Sequence, residues 1–291
     1  MRAKKLIPGE RAVLAIAERR RWDLRRRLKG ARAGKVEALH QFRVAGRRLR
    51  CVLPLVATAP EGGRVRRLSK LIRRLVRAAG RARDFDVSSA LLRSEMARTG
   101  MDSGHRRSLL REFGKTHPGG RQTLGESTAP ANWRKLRRRL DGFVRRRHLA
   151  ELGEVLDRIR ARSEFLINSI RTQIRSVGSR RDVLALHSIR REVRRFRYTL
   201  ETGVAVVNGT ARLTEDLRVM QEQLGMVHDA HGLAEWLHSR DGQDVEERQL
   251  EVRIRALERS QHVRWLRSKP EQRVMAVGNQ WVAVQGAAGV T

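Results

Sequence analysis

Apolar residues return every three or four positions along nearly the whole chain, which is the period of a helix with one buried face. The pattern predicts helices at about 10–29, 36–57, 64–79, 84–99, 131–148, 150–177, 182–207, 211–224, 229–239 and 244–260. Alternating β-branched runs and hairpin dipeptides are missing, so no strand is expected. Asp84, Asp182 and Asp229 stand where an N-cap or first-turn acid belongs. Pro54 falls inside the second helix and is expected to kink it or end it early, with Pro60 and Gly62-Gly63 marking the turn. Residues 100–130 are rich in Gly, Ser, Thr and Pro and read as a linker between halves at 10–99 and 131–260, with a short helix at 103–113. Beyond 260 the periodicity lapses except at Trp265, Val274, Val277 and Trp281, so 261–291 reads as a tail whose last six residues are disordered. Trp22, Trp133 and Trp236 lie in helical segments and are expected in the core or at bundle interfaces.

One polar pattern occurs twice. His40-Gln-Phe-Arg43-Val-Ala-Gly-Arg47-Arg48-Leu-Arg50 returns 147 residues later as His187-Ser-Ile-Arg190-Arg-Glu-Val-Arg194-Arg195-Phe-Arg197. A shorter signature follows each copy, Gly80-Arg-Ala-Arg83-Asp84 and Gly225-Met-Val-His228-Asp229, offset by 145. On a wheel of 100° per residue, His40, Arg43, Arg47 and Arg50 fall within an arc of about 80°. Phe42, Ala45, Leu49, Val52 and Leu53 lie opposite them. In the second copy His187, Arg190, Arg194 and Arg197 align against Ile189, Val193, Phe196 and Leu200. Like charges at these spacings repel. A solvated face has no need to repeat the same His and Arg positions, so the duplicated stripe points to a polyanionic partner. Two similar halves suggest an all-α fold of two antiparallel four-helix bundles related by a pseudo-twofold axis, with both stripes facing one basic groove.

Charge agrees with this. The 291 residues hold 64 basic and 31 acidic side chains, a net of +33, and 56 of the basic residues are Arg. That balance favours nucleic acid, an anionic membrane surface or polyphosphate. Arg offers a planar fork for bidentate phosphate contacts, although a GC-rich genome would also raise the Arg share. The Arg137-Arg138-Arg139 run lies outside both motifs and is expected to add only long-range attraction, which salt screens. Cys51 is the single cysteine, so neither a disulfide framework nor a Cys-based metal site is expected. No stretch approaches the roughly 18 apolar residues of a membrane span, and no signal peptide is visible, so a soluble cytoplasmic protein is expected.

These residues resemble the CHAD family, the conserved histidine α-helical domain. Its first signature is similar to His40-x-x-Arg43-Val44-x-x-Arg47-Arg48-Leu49-Arg50, followed by Gly80, Arg83, Asp84, Asp86 and Val87. Its second-half signatures are similar to His187, Arg190, Arg194, Arg195, Arg197, Tyr198 and Glu201, then Leu224, Gly225, His228 and Asp229. The resemblance covers about residues 10–260; it departs at Pro54 and in the unusual linker. It implies two four-helix bundles around a basic cavity that binds inorganic polyphosphate. Some relatives associate with polyphosphate or storage-polymer granules, and others are joined to triphosphate hydrolase domains, for which this chain has no strand-rich segment.

On that footing His40, Arg43, Arg47, Arg48, Arg50, Arg83, His187, Arg190, Arg194, Arg195, Arg197, Tyr198 and His228 are the expected polyphosphate contacts. Asp84, Glu201 and Asp229 are expected to orient arginines from behind. A phosphate beside a His should raise its pKa and add charge. Paired His could also ligate a metal, but the Arg around them would repel a cation. His228-Asp229 with His231 superficially resembles the pair of metal-dependent phosphohydrolases; its first-half counterpart, Arg83-Asp84, favours an anion contact beside a helix-capping Asp. No phosphate loop, nucleophile elbow or carboxylate cluster is evident, so no catalytic residue, metal or cofactor is expected. Nucleic-acid binding is the alternative, weakened by an aromatic content of only 4%. A granule-surface structural protein is the third.

Overall fold

Amphipathic helices can bury their apolar faces only against one another. In the computed structural model, which describes residues 8–116, 125–126, 128–145, 148–177, 182–203 and 211–288, they do so throughout. The first half contributes α1 (Pro8–Arg32), α2 (Val36–Val56), α3 (Gly63–Met96) and α4 (Ser103–Thr116). After α5 (Pro130–Arg145) come α6 (Leu152–Val177), α7 (Val183–Gly203), α8 (Ala211–His238), α9 (Val245–Arg267) and α10 (Pro270–Ala288). The protein is all-α. Among the described residues the nearest approach to a sheet is an isolated antiparallel bridge between Ala57 and Leu149. There Ala150 N donates to Val56 O at 2.8 Å, tying the two halves.

In each half three helices pack in sequence, α1 on α2 on α3 and α6 on α7 on α8, and α2 also meets α7. The faces read from the sequence are the buried ones. Phe42, Leu49, Val52 and Leu53 on α2, and Ile189, Val193, Phe196 and Leu200 on α7, are each at most 2% exposed. They belong to one core shared by both halves. A second core joins the far ends of α3 and α8 to α4 and α9 through Leu92, Met96, Phe113, Leu233 and Ile254. The residues between the halves are therefore more than a linker, because α4 closes this second core.

Several boundaries differ from the sequence pattern. The two helices expected at 64–79 and 84–99 are one continuous α3, and those at 211–224 and 229–239 are one continuous α8. Asp84 and Asp229 are thus mid-helix residues and cap nothing. Asp182 does cap, its Oδ1 accepting from Ala185 N at 2.9 Å. Pro54 does not stop α2, which runs to Val56. So near a C-terminus Pro removes one hydrogen bond, and Arg158 Nη1 serves the carbonyls just beyond, Leu55 O at 3.2 Å and Ala57 O at 2.5 Å. Residues 204–207 and 146–147 of predicted helices lie outside the described residues. Trp22 is not in the core; it is 55% exposed, with Arg26 stacked 4.2 Å above its ring. Trp133 packs against the main core and Trp236 against the second.

The C-terminal stretch is the largest correction. α9 continues to Arg267, and α10 packs against α6 and α8. Its buried residues, Val274, Val277 and Trp281, are spaced by three and four, a helical stripe too sparse to stand out among small neighbours. The last three residues of the stretch expected to be disordered, 289–291, lie outside the described residues. Gly203 lets α10 approach α7, since a Cβ there would come within 2.3 Å of the Trp281 ring. Trp281→Ala should therefore lower the unfolding free energy by about 3–5 kcal/mol in urea denaturation. Gly203→Ala should lower it by about 1–3 kcal/mol through overpacking. A loss below 1 kcal/mol for Trp281→Ala would show that the C-terminal helix is no part of the folded core.

Candidate functional site

The cationic faces of α2 and α7 turn toward each other where these helices meet. Between them and the inner faces of α3 and α8 lies a cleft of about 420 Å³. From the first half it is lined by His40, Arg43, Arg47, Arg48, Arg83 and Asp84. From the second half Arg190, Arg197, Tyr198 and Asp229 face it. Ten of the sixteen residues singled out by the two signatures thus reach one cavity, from four helices.

The two signature glycines acquire a role here. Both stand mid-helix next to a stripe arginine, and at Gly225 the approach is close enough to need the missing side chain. A Cβ at Gly225 would lie 3.0 Å from Arg190 Nη2, and one at Gly80 would lie 4.0 Å from the Arg43 guanidinium. Arg43 Nη1 donates to Asp84 Oδ1 at 2.6 Å, across from α2 to α3. Nε of Arg43, Arg190 and Arg197 is buried in each case and meets no hydrogen-bond partner among the described residues. A buried N–H left unmade costs about 1–3 kcal/mol.

Carboxylates hold some of the cluster in place. Arg48 donates to both oxygens of Glu201, Nε at 2.6 Å and Nη2 at 2.9 Å, a bidentate pair joining the halves. Burial works against the Arg48 charge, and the Glu201 hydrogen bonds outweigh it, so its pKa is raised. Arg197 is 7% exposed and lies 3.6 Å from the same carboxylate. Tyr198, 2% exposed, carries the guanidiniums of Arg197 and Arg48 over its ring at 4.9 and 5.7 Å. Burial raises the Asp229 carboxyl, and nearby Arg190 opposes the shift.

Deeper in, charge is less compensated. Burial and then the facing Arg194 push Arg47 downward from its ordinary value; burial does the same to Arg194 and Arg190. A guanidinium nevertheless keeps its charge at neutral pH. The shifts therefore express like charge held out of water, which an anion would relieve. The histidines respond by losing their protons. Burial and then Arg83 lower His40; burial and then Arg190 lower His228. Burial and then His228 bring His187 to about 4.

Six of the sixteen residues do not line the cleft. His187 and His228 form a ring pair, centroids 4.6 Å apart, with each Nδ1 buried and unpartnered among the described residues. Arg194 stands behind Arg47, and Glu201 behind Arg48. Arg50 looks toward Arg73, Arg77 and Arg195 instead. Arg195 is exposed, 3.9 Å from Glu192. Arg218, Gln221 and Glu222, outside both signatures, also line the cleft from α8. Their positions seven, four and three residues before Gly225 share its helix face, a signal hidden when α8 is read as two helices. Arg73 and Arg77 precede Gly80 by the same seven and three. Arg20, also outside both signatures, donates from Nη2 to Glu201 O at 3.3 Å. Outside the cleft, His105 sits among Asp244, Glu246 and Glu247 at 2.9–3.4 Å, joining α4 to the start of α9.

No helix among the described residues is long and apolar enough to cross a membrane. No curated protein matches the chain in sequence. The crystal structure of the CHAD domain from the plant Ricinus communis is similar in fold, with a TM-score of 0.65 over 93% of this chain and 91% of that one at 22% identity. The sequence profile of the CHAD domain matches residues 15–238 and again 167–290. With most of its length matched and its helices arranged alike, the chain belongs to the CHAD-domain family.

Proposed function

We propose that the protein binds inorganic polyphosphate in the cleft between α2, α3, α7 and α8, and that it does so without catalysing its turnover. The carrying observation is that arginines from both halves, Arg43, Arg47, Arg48, Arg190 and Arg197, line one cavity, and that Nε of Arg43 and of Arg190 meets no hydrogen-bond partner among the described residues. Polyphosphate supplies acceptors and about one negative charge per phosphate along a flexible chain, which suits a track of donors better than one deep pocket. The family is associated with polyphosphate binding, and the duplicated stripe explains why both halves contribute donors. Of the flanking carboxylates, Asp84 holds Arg43 and Glu201 holds Arg48, while Asp229 acts on Arg190 through space.

Arg47→Glu and Arg190→Glu, at two arginines that line the cleft from opposite halves, should each weaken binding of long polyphosphate by at least tenfold, since an arginine hydrogen-bonded to an anion contributes about 1.5–3 kcal/mol and reversal adds repulsion. Arg111→Glu on the exposed side of α4 changes net charge equally and should cost less than threefold at moderate salt. Calorimetric titration with circular dichroism as a folding check decides this; equal losses in all three variants would leave only net charge as the explanation. As salt rises, polyphosphate should stay bound after duplex DNA is released, because convergent bidentate contacts survive screening better than diffuse attraction. Release of both over the same salt range would favour a generic basic surface.

Gly225→Ala separates binding from folding. Alanine raises helix propensity by about 0.8–1 kcal/mol, while its methyl would stand 3.0 Å from Arg190 Nη2 and push the guanidinium off its present position. The variant should be at least as stable as the wild type to urea and should bind polyphosphate several-fold more weakly. Unchanged affinity would remove Arg190 from the site.

The histidines give a pH dependence. The His187 pKa of about 4 in the free folded protein lies below the ordinary value, so the neutral ring is the folded form. Its contribution to stability is complete above about pH 6.5 and is lost as pH falls toward 4. An anion in the cleft acts oppositely on His40, whose pKa burial and Arg83 hold below the ordinary value, so binding takes up protons and tightens as pH falls. Calorimetry in buffers of different ionisation enthalpy counts those protons; His40→Asn should reduce the count, and zero uptake in the wild type would remove His40 from the anion's surroundings.

A further inference from the structure

At the other end of α3 the chain builds a second concentration of positive charge. The α3 N-terminus lies about 25 Å along the helix from Gly80, at 1.5 Å per residue. There a hollow of about 350 Å³ is lined by Arg64 and Arg67 of α3 and by Arg138 and Arg139 of α5, over a floor of Leu68 and Phe143. A neighbouring hollow shares Arg64, Arg67 and Phe143 and continues to Gly62, Gly63 and His148, so the two form one trough.

Three observations distinguish this trough from a solvated basic face. First, among the described residues none of its four arginines makes an ion pair, whereas Arg21, Arg43 and Arg48 elsewhere each do. Asp141, one turn from Arg138 on α5, is turned away and pairs with Arg21 of α1 at 2.5 Å. Exposed Glu61 pairs with none of the four. Second, α3 begins at the trough with neither a side-chain cap nor an acidic residue in its first turn. Its first N–H groups and the positive end of its dipole are left for another anion. Third, Arg67 folds back over that end, its Nη1 only 3.1 Å from where a Cβ on Gly63 would stand. His148 Nε2 is in contact with Arg64 Nη1 at the edge of the trough.

We infer that this trough is a second anion site, separate from the cleft, for a compact ligand carrying two or more phosphoryl groups. One group would sit at the α3 N-terminus between Arg64 and Arg67, the next between Arg138 and Arg139. The two arginine pairs, on different helices, face a short oligophosphate better than a single phosphate, which could reach only one pair. This assigns a role to Arg138 and Arg139, which the sequence pattern alone treats as bulk charge. It does not depend on what fills the cleft.

Inorganic tripolyphosphate is the probe, titrated calorimetrically into the full-length protein at one moderate salt concentration. The cleft variant Arg47→Glu/Arg190→Glu should retain one tripolyphosphate site within about twofold of its wild-type affinity, a change under 0.5 kcal/mol. Arg67→Ala/Arg139→Ala should lose that site by at least tenfold, and so should the milder Arg64→Gln/Arg138→Gln, which guards against misfolding of the first. Both should keep long-polyphosphate binding within about threefold. Arg107→Ala/Arg111→Ala, equal in charge change, should leave tripolyphosphate binding nearly intact. The inference is overturned if the wild type binds no tripolyphosphate, if the cleft variant abolishes all of it, or if the Arg107/Arg111 control loses as much as the trough variants. Failure of the cleft assignment gives a different result, with long-polyphosphate affinity unmoved by Arg47→Glu/Arg190→Glu.

Discussion

The structure depends on two arginine faces being held toward each other. Arg43 and Arg47 on α2 confront Arg190 and Arg194 on α7, largely out of water. Such a contact is unfavourable by itself. It persists because the opposite faces of the same helices bury Phe42, Leu49, Ile189 and Phe196 in the shared core. A helix cannot rotate its charged stripe away without exposing its apolar one. Core burial therefore supplies the free energy that keeps the cations together, and the cleft between α2 and α7 is where that tension is located.

Carboxylates decide which arginines remain available. Glu201 takes Arg48 by both oxygens and approaches Arg197, while Asp84 takes one arm of Arg43. These pairs fix side-chain geometry at the rim. Further in, Arg47 and Arg194 have no such partner among the described residues. The two copies of the stripe also differ. At the repeat offset, Glu201 is matched by Pro54 and Tyr198 by Cys51, so Arg195 lacks the clamp that Arg48 enjoys and remains exposed. Burial raises the Cys51 thiol. The two copies of the stripe thus share their cations but not the polar groups around them, and the two ends of the cleft are unlike.

Support for the cleft extends well beyond the motifs. α3 and α8 contribute through Gly80, which lies beside Arg43, and Gly225, where a side chain would crowd Arg190. Both helices continue past the cleft into the second core with α4 and α9, so they are anchored at both ends. α10 adds a further brace, its Trp281 seated on Gly203 at the end of the helix that carries Arg190 and Arg194.

The sequence by itself determined the helical class, the buried faces of α2 and α7 and the identity of the stripe residues, because a 3.6-residue period and a repeated cation pattern are local properties of the chain. It determined the family for the same reason. It misplaced Gly80 and Gly225 as breaks, and Asp84 and Asp229 as caps, because Gly and Asp carry those meanings in an isolated helix. Only packing makes a mid-helix glycine a passage for another helix's arginine. It read residues 261–291 as a tail because α10 buries a few large side chains spaced among small ones, and their partners lie on α6 and α8. Which stripe residues share one cavity was likewise beyond it. Arg50 and Arg43 are alike on a helical wheel, yet the crossing of α2 with α7 sends Arg43 into the cleft and Arg50 toward Arg73 and Arg77. The crossing decides this, and it is set by contacts between residues more than a hundred positions apart.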